Sequence, residues 1–105
     1  MIKVVSITPY QKRSEGRRSK IRIYFDILKL IQRKGGIVKP THILYGANLS
    51  HKRLKTHLEW LENEGFIERV GRGGGVMYRI TEKGSEFVKE FRKVEEFSEA
   101  FGVEI

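Results

Sequence analysis

Apolar residues recur at three- and four-residue spacing in three stretches of this chain, and they alternate with polar residues in a fourth. The first spacing is typical of helices with one buried face, and the alternation is typical of strands. We therefore predict long helices from about Ser19 to Gly35, from Ser50 to Gly65 and from Thr81 onwards. The alternation at 66–70 and 76–80 predicts two short strands around a glycine-rich loop.

A short apolar segment at 41–47 precedes the second long helix, with Thr41 as its predicted N-cap. The segment ends in Gly-Ala-Asn at 46–48, and Gly and Asn adopt left-handed backbone angles at low cost. Ser50 is the N-cap candidate for the helix that follows, and Gly65 ends that helix. Two helices joined by a tight turn and followed by a two-stranded hairpin indicate an α+β fold, a winged helix-turn-helix.

The first and last helices have more apolar surface than this small fold requires. The first has two apolar stripes, so it is buried on more than one side. The last has an apolar seam spaced 4-3-4-3, interrupted by Ser98. We expect the seam to pack between two copies of the chain, and the alternative is that it folds back on its own domain. The predicted dimer interface comprises Ile23, Ile27, Leu30, Phe87, Phe91, Val94, Phe97 and Phe101.

Composition narrows the class of partner. The chain has 105 residues, enough for one domain, which we divide into a basic arm or strand (1–18), a winged helix (19–80) and a C-terminal helix (81–105). The net charge of +8 and the pI near 9.9 favour a polyanionic partner. Without cysteine there is no disulfide or thiol chemistry. We predict a cytoplasmic, nucleoid-associated protein, because no apolar run is long enough for a bilayer or a signal peptide.

The helix at 50–64 has basic residues near its start and Glu59, Glu62 and Glu64 near its end. Both groups oppose the helix dipole, at a cost of about 0.3–1 kcal/mol for each charge. Contact with phosphates and base edges in a major groove explains this arrangement, and the alternative is a solvated helix with arbitrary charges. The predicted DNA contacts in this recognition helix are Ser50, His51, Lys52, Arg53, Lys55 and Thr56.

The basic segment before the first helix and the glycine loop at 71–75 are further candidates. The loop joins two strands, whereas a phosphate cradle would open a helix, so nucleotide binding is not expected. We expect Arg72 at the loop tip to meet a minor groove, and Arg69 and Arg79 to meet flanking phosphates. The alternatives are a mobile hairpin with an incidental arginine and a solvated basic segment. The candidate DNA contacts in that segment are Lys12, Arg13, Arg17 and Arg18.

Catalytic and metal-binding functions find no support in the sequence. The three histidines are His42, His51 and His57, and neither their spacing nor that of the carboxylates is typical of a metal site or a catalytic triad. We therefore predict a protein that is not an enzyme, with no cofactor, no metal and no evident small-molecule ligand. Trp60 is expected to pack against the wing or against the short helix at 41–47.

Segment 20–97 resembles the archaeal winged-helix DNA-binding family of small dimeric regulators and chromatin-type proteins. The matching residues are 24–28, 41–50, Leu54, Leu58, Leu61, Gly65, Phe66, Ile67 and 78–84. The resemblance implies dimerisation through the C-terminal helix and DNA binding through the helix that begins at Ser50.

The expected function is thus a homodimer that binds double-stranded DNA and regulates transcription. One alternative is a sequence-nonspecific archaeal chromatin or architectural protein. An alternative from another class is a winged-helix module that binds protein or is associated with RNA.

Overall fold

A computed structural model of the chain describes residues 18–104, and for Arg72 it describes the backbone only. This part forms four helices and three strands, which confirms the α+β winged helix. The arm or strand predicted for residues 1–18 lies outside the described residues except for Arg18. The elements in chain order are α1 (Lys20–Arg33), β1 (Ile37–Val38), α2 (Pro40–Gly46), α3 (His51–Asn63), β2 (Ile67–Arg72), β3 (Gly75–Ile80) and α4 (Glu82–Phe101).

Hydroxyl side chains cap three of the helices where the sequence predicts it. Ser19 and Ser50 each accept a hydrogen bond at 3.3 Å from the backbone N–H three residues on, and Thr81 accepts one at 3.1 Å. The N-cap prediction at Thr41 is wrong, because α2 begins at Pro40 after Lys39. Proline has the fixed φ of a first helical turn and needs no hydrogen bond there, so it sets this start.

The three strands form one antiparallel sheet in the order β1-β3-β2. Strands β2 and β3 pair from Ile67 opposite Ile80 to Arg72 opposite Gly75, so the hairpin is longer and its loop shorter than predicted. The tight turn is made by 73–74, with Gly73 at φ +47°. Strand β1 was not predicted, because two residues are too short to show alternation.

Helix α1 lies at the centre of the core. The side chains of Phe25, Ile27 and Leu28 are completely buried, and the rings of Phe25 and Phe91 lie 4.6 Å apart. Helix α4 therefore packs on α1 within one chain, and an ion pair of 2.5 Å between Arg22 and Glu95 adds to this contact.

This packing changes the predicted dimer interface. The side chains of Ile23, Ile27, Leu30 and Phe91 are at most 5% exposed in the single chain, so they do not offer the free apolar surface expected of them. The reason is that the alternative considered for α4, folding back on its own domain, holds for its first half. Phe87 is partly buried against the same core.

The second half of α4 leaves apolar side chains exposed. Phe91 is the last buried residue of the helix, and beyond it Val94, Phe97 and Phe101 are 40%, 54% and 70% exposed. The rings of Phe97 and Phe101 lie 4.8 Å apart. No helix within residues 18–104 combines the length and the apolar character needed to cross a membrane.

Trp60 packs most closely on α1, which was not predicted, and also contacts Phe66 of the predicted wing segment 66–70. Its ring stacks on that of Tyr24, with centroids 4.3 Å apart and planes 3° from parallel. Its second neighbour is Phe66, at 5.8 Å, immediately before β2. The contact follows from Tyr24 and Trp60 lying on facing sides of α1 and α3.

Candidate nucleic-acid interface

Helix α3 presents its charged side to solvent. Leu54, Leu58 and Leu61 are 5% exposed or less and fix the helix against the core. The cations Lys52 and Lys55, like Arg53 between them, are exposed. A helix held by one leucine stripe thus exposes the other five of its first six residues, 51–53 and 55–56, at the surface.

Within residues 18–104, the cations at the start of α3 have no acidic partner. The ion pairs formed within residues 18–104 join other side chains, and none includes Lys52, Arg53 or Lys55. The first turn of α3 contains no acidic residue. The positive end of the helix dipole and three unneutralised cations therefore coincide, and together they attract anions.

The polar side chains predicted beside these cations have partners inside the helix. The Ser50 hydroxyl accepts from the N–H of Arg53, and the Thr56 hydroxyl donates to the carbonyl oxygen of Lys52 at 3.2 Å. His51 is exposed at the first position of the helix. The start of α3 therefore presents charged groups to a partner more than neutral hydrogen-bonding groups.

The arginines of the wing strands are paired with carboxylates. Arg69 donates to Glu62 at 3.0 Å and Arg79 donates to Glu68 at 3.1 Å. The hydrogen bond to Glu62, together with the nearby Tyr78, raises the pKa of Arg69 above its ordinary value. Each of these side chains is at least 31% exposed, so water weakens the pairs. The side chain of Arg72 lies outside the described part.

A groove of about 350 Å³ separates α3 from the sheet. His51, Lys55 and Glu59 line it from the helix, and Arg69 and Tyr78 line it from the strands. Helix α3 and the hairpin thus form two ridges on one side of the molecule, with basic residues on both. Lys55 and Arg69, both predicted as DNA contacts, line the same groove.

Arg18 does not line this groove. Its guanidinium donates to Asp26 at 2.7 Å and to the carbonyl oxygen of Ala47 at 2.5 Å. It was predicted as a DNA contact, and the structure instead engages it with α1 and with the turn before α3. The other predicted contacts of the basic segment, Lys12, Arg13 and Arg17, lie outside the described residues.

His57 is a buried group that the sequence did not single out as unusual. Its side chain on α3 is 6% exposed, with the Tyr24 ring edge-on at 5.4 Å, and Nδ1 has no hydrogen-bond partner in the described part. Burial lowers the pKa of His57, and Arg53, Lys20 and Arg18 lower it further. On the helical wheel His57 lies at the edge of the leucine stripe, about 40° from Leu61, and this position is the signal that predicts burial.

Tyr45 is a surface residue that sequence reasoning missed. It is 80% exposed in the last turn of α2, because the neighbouring Ile43 and Leu44 occupy the inner face of that short helix. An exposed aromatic ring beside the turn before α3 is available for contact with a partner. Among residues 18–104 no three His, Asp or Glu side chains are grouped to hold a metal ion.

Comparison with known proteins identifies a family and solved structures of similar fold. The profile of a family described as winged helix-turn-helix matches residues 17–99. Uncharacterized protein MJ0290 of Methanocaldococcus jannaschii is 35% identical over 78 residues, which are 74% of this chain and 34% of that protein. The chain therefore spans about a third of the length of this curated relative.

Two solved structures from Sulfolobus solfataricus have the same fold. The DNA-binding protein Sso10a-2 superposes with a TM-score of 0.72 at 24% identity, over 80% of this chain and 85% of that one. The transcriptional regulator BldR superposes with a TM-score of 0.70 at 16% identity, over 91% of this chain and 79% of that one. At these identities the likeness concerns the fold.

Proposed function

Since this chain belongs to the winged helix-turn-helix family, we propose that it binds double-stranded DNA as a homodimer and regulates transcription. The observation that carries the proposal is the set of exposed cations at the start of α3 that form no ion pair among the described residues: Lys52, Arg53 and Lys55. The printed descriptions of Sso10a-2 and BldR, a DNA-binding protein and a transcriptional regulator, support the same class of function.

The proposed docking places the N-terminal half of α3 in a major groove. With side chains a helix is about 10–12 Å across, and the major groove is about 12 Å wide. Lys52, Arg53 and Lys55 then approach phosphates and base edges, with Ser50, His51 and Thr56 beside them. The hairpin turn at 73–74, with Arg72 at the adjoining end of β2, approaches the adjacent minor groove.

The wing arginines take part by exchanging partners. Arg69 and Arg79 leave Glu62 and Glu68 and contact the phosphates that flank the minor groove. Exposed ion pairs contribute about 0–1 kcal/mol, so the exchange costs little compared with a phosphate contact.

Salt dependence of duplex binding tests the proposal. The affinity of the full chain for a fluorescent 30-base-pair duplex is measured by anisotropy across a range of NaCl concentrations. Three phosphate contacts alone give a log–log slope of about −2.7, since each contributes about −0.9. A flat dependence, or preferential binding of single-stranded RNA of equal length, would contradict duplex binding and favour the RNA-associated alternative.

The exposed end of α4 is the proposed dimer contact. Phe97 and Phe101 lie beyond the last buried residue of the helix and adjoin Val94, so a second copy of α4 would remove a continuous apolar strip from water. Two copies of α3 would then meet half-sites about 34 Å apart, or a multiple of that distance.

Light scattering of variants tests the dimer. Phe97→Asp with Phe101→Asp should yield a folded monomer, because both side chains lie outside the protomer core. Glu99→Gln, on the same exposed part of α4, is the control and should remain dimeric. A dimer that persists in the double variant would show that the contact lies elsewhere.

A sequence-nonspecific chromatin protein is the second candidate. The observation that favours it is that three of the exposed side chains at the start of α3, Lys52, Arg53 and Lys55, are cations, which contact the phosphates of any sequence. Genome-wide footprinting separates the two candidates. Discrete protected sites would support a regulator, and uniform coverage would support an architectural protein.

A further inference from the structure

Arg18 links three segments that are distant in the sequence. One guanidinium nitrogen, Nη1, donates to Asp26 of α1 at 2.7 Å. The other, Nη2, donates to the carbonyl oxygen of Ala47 at 2.5 Å and reaches that of Asn48 at 3.4 Å. The side chain therefore joins the segment before α1, the central core helix and the turn between α2 and α3.

The turn that Arg18 contacts is conformationally demanding. Asn48 has φ +57°, the one non-glycine residue with positive φ within residues 18–104. The carbonyls of Ala47 and Asn48 follow the C-terminal end of α2, where backbone oxygens lack partners within the helix. A cation that donates to them satisfies these oxygens and also suits the negative end of the helix dipole.

Asp26 fixes the direction of the guanidinium. The side chains of Arg18 and Asp26 are 28% and 24% exposed, so the pair is more protected from water than the ion pairs of the wing. Two donors on a rigid plane reach two acceptors in different directions, which the single point charge of a lysine does not reproduce. Since α1 is the centre of the core, the turn is tied to the most fixed part of the molecule.

We propose that Arg18 is a positioning residue that holds the α2–α3 turn and thereby sets the direction in which α3 meets DNA, rather than a ligand of phosphate. The proposal rests on the proposed DNA-binding function. Ser50, the N-cap of α3, comes two residues after Asn48, so a change in the turn moves Lys52 and Arg53 together. The last arginine of the basic segment before α1 thus acts within the fold.

Three variants distinguish positioning from phosphate binding: Arg18→Gln, Arg18→Lys and Asp26→Asn. A positioning role predicts that all three lower duplex affinity by roughly tenfold, which matches the loss of one charge-assisted hydrogen bond, while the salt slope stays at the wild-type value. A phosphate contact predicts a slope shallower by about 0.9 for Arg18→Gln, wild-type affinity for Arg18→Lys and tighter binding for Asp26→Asn. That second pattern would overturn the proposal.

Lys34→Gln is the matched control, since it removes one exposed cation from the residue that follows α1. All affinities are compared at a temperature where circular dichroism shows every variant to be folded. Loss of stability alone then leaves the affinity unchanged, so wild-type affinity in all three variants would also contradict the positioning role.

A measurement without DNA separates this proposal from the proposed function. Amide hydrogen exchange of 47–50 should accelerate in Arg18→Gln and Asp26→Asn, whereas exchange in the buried part of α4 should not change. Unchanged exchange in the turn would refute the role of Arg18 in holding it, even if the wild-type protein binds duplex. Accelerated exchange in a protein that binds no duplex would support that role and refute the proposed DNA-binding function.

Discussion

The start of α3 and the strands of the wing both expose basic residues, but they hold these charges differently. Lys52 and Arg53 have no acidic partner among the described residues, whereas Arg69 and Arg79 are each paired with a glutamate. A count of basic residues treats the two regions alike. Their available charge differs, because a paired arginine must first release its carboxylate.

Helices α3 and α4 also differ in the charge of their first turns. Helix α4 has Glu82 in its first turn, as the dipole favours, while α3 has no acid in its first turn. Both helices have a hydroxyl cap, so the difference is confined to charge. The unfavourable arrangement in α3 costs stability and becomes favourable when an anion is bound.

The largest effect we expect comes from neutralising the start of α3. Lys52→Ala with Arg53→Ala should weaken duplex binding roughly 60-fold at 0.1 M salt and make the salt slope shallower by about 1.8, because each phosphate contact contributes about 0.9 to it. Anisotropy titrations measure both quantities.

The control for this pair is Lys89→Ala with Arg92→Ala, which removes the same charge from exposed positions on α4. If the control weakens binding equally, net charge and not the position of α3 determines affinity. The comparison between the two regions would then lose its meaning.

A smaller effect, an increase in duplex affinity, is expected when the wing arginines lose their carboxylate partners. Glu62→Gln with Glu68→Gln should tighten duplex binding about two- to fivefold, since the arginines no longer exchange an exposed ion pair for phosphate. Glu86→Gln with Glu90→Gln on α4 makes the same change of charge at exposed sites away from the wing. An equal gain in that control would show that Arg69 and Arg79 do not contact DNA.

The smallest effect that we expect is a pH dependence of stability, and it arises from His57 of α3. Because the pKa of His57 in the folded state is lowered from 6.5, its contribution to stability is complete above pH 6.5. Below that pH the unfolded chain takes up the proton first, so the melting temperature should fall as the solution is acidified.

Two histidine variants check this assignment by calorimetry between pH 8 and 5. His57→Leu should flatten the dependence, because it removes the buried imidazole and its unpartnered Nδ1. His42→Leu, at an exposed position, should keep the wild-type dependence. A wild-type profile in His57→Leu would assign the acid sensitivity to other groups.

Local signals in the sequence were sufficient for most of the fold. Ser50 caps α3 as predicted, and Ser19 and Thr81 cap helices whose starts were predicted near those residues, since each cap depends on residues only three positions away. The start of α2 was misplaced because a proline outweighed the nearby threonine. Strand β1 was missed because it exists only by pairing Ile37 with Arg79, a contact between distant segments.

The candidate site likewise has features that were predictable from the sequence and features that were not. Exposure of Lys52 and Lys55 follows from the leucine stripe of α3 and was predictable. The partner of Arg18 was not, because Ala47 is 29 residues away and charge alone does not distinguish a phosphate ligand from a clamp. Likewise the heptad seam of α4 did not reveal where the protomer core ends and the exposed strip begins.

Gly84 sets how α4 leaves the sheet. A β-carbon at this position would lie 2.3 Å from the carbonyl oxygen of Phe66, so the helix rests directly on the backbone that leads into β2. Such contact gives the joint little freedom to tilt. In a dimer joined through α4, the orientation of this helix would set the distance between the two copies of α3. Altered packing around Phe97 would then change that distance, while the residues proposed to face DNA stayed the same.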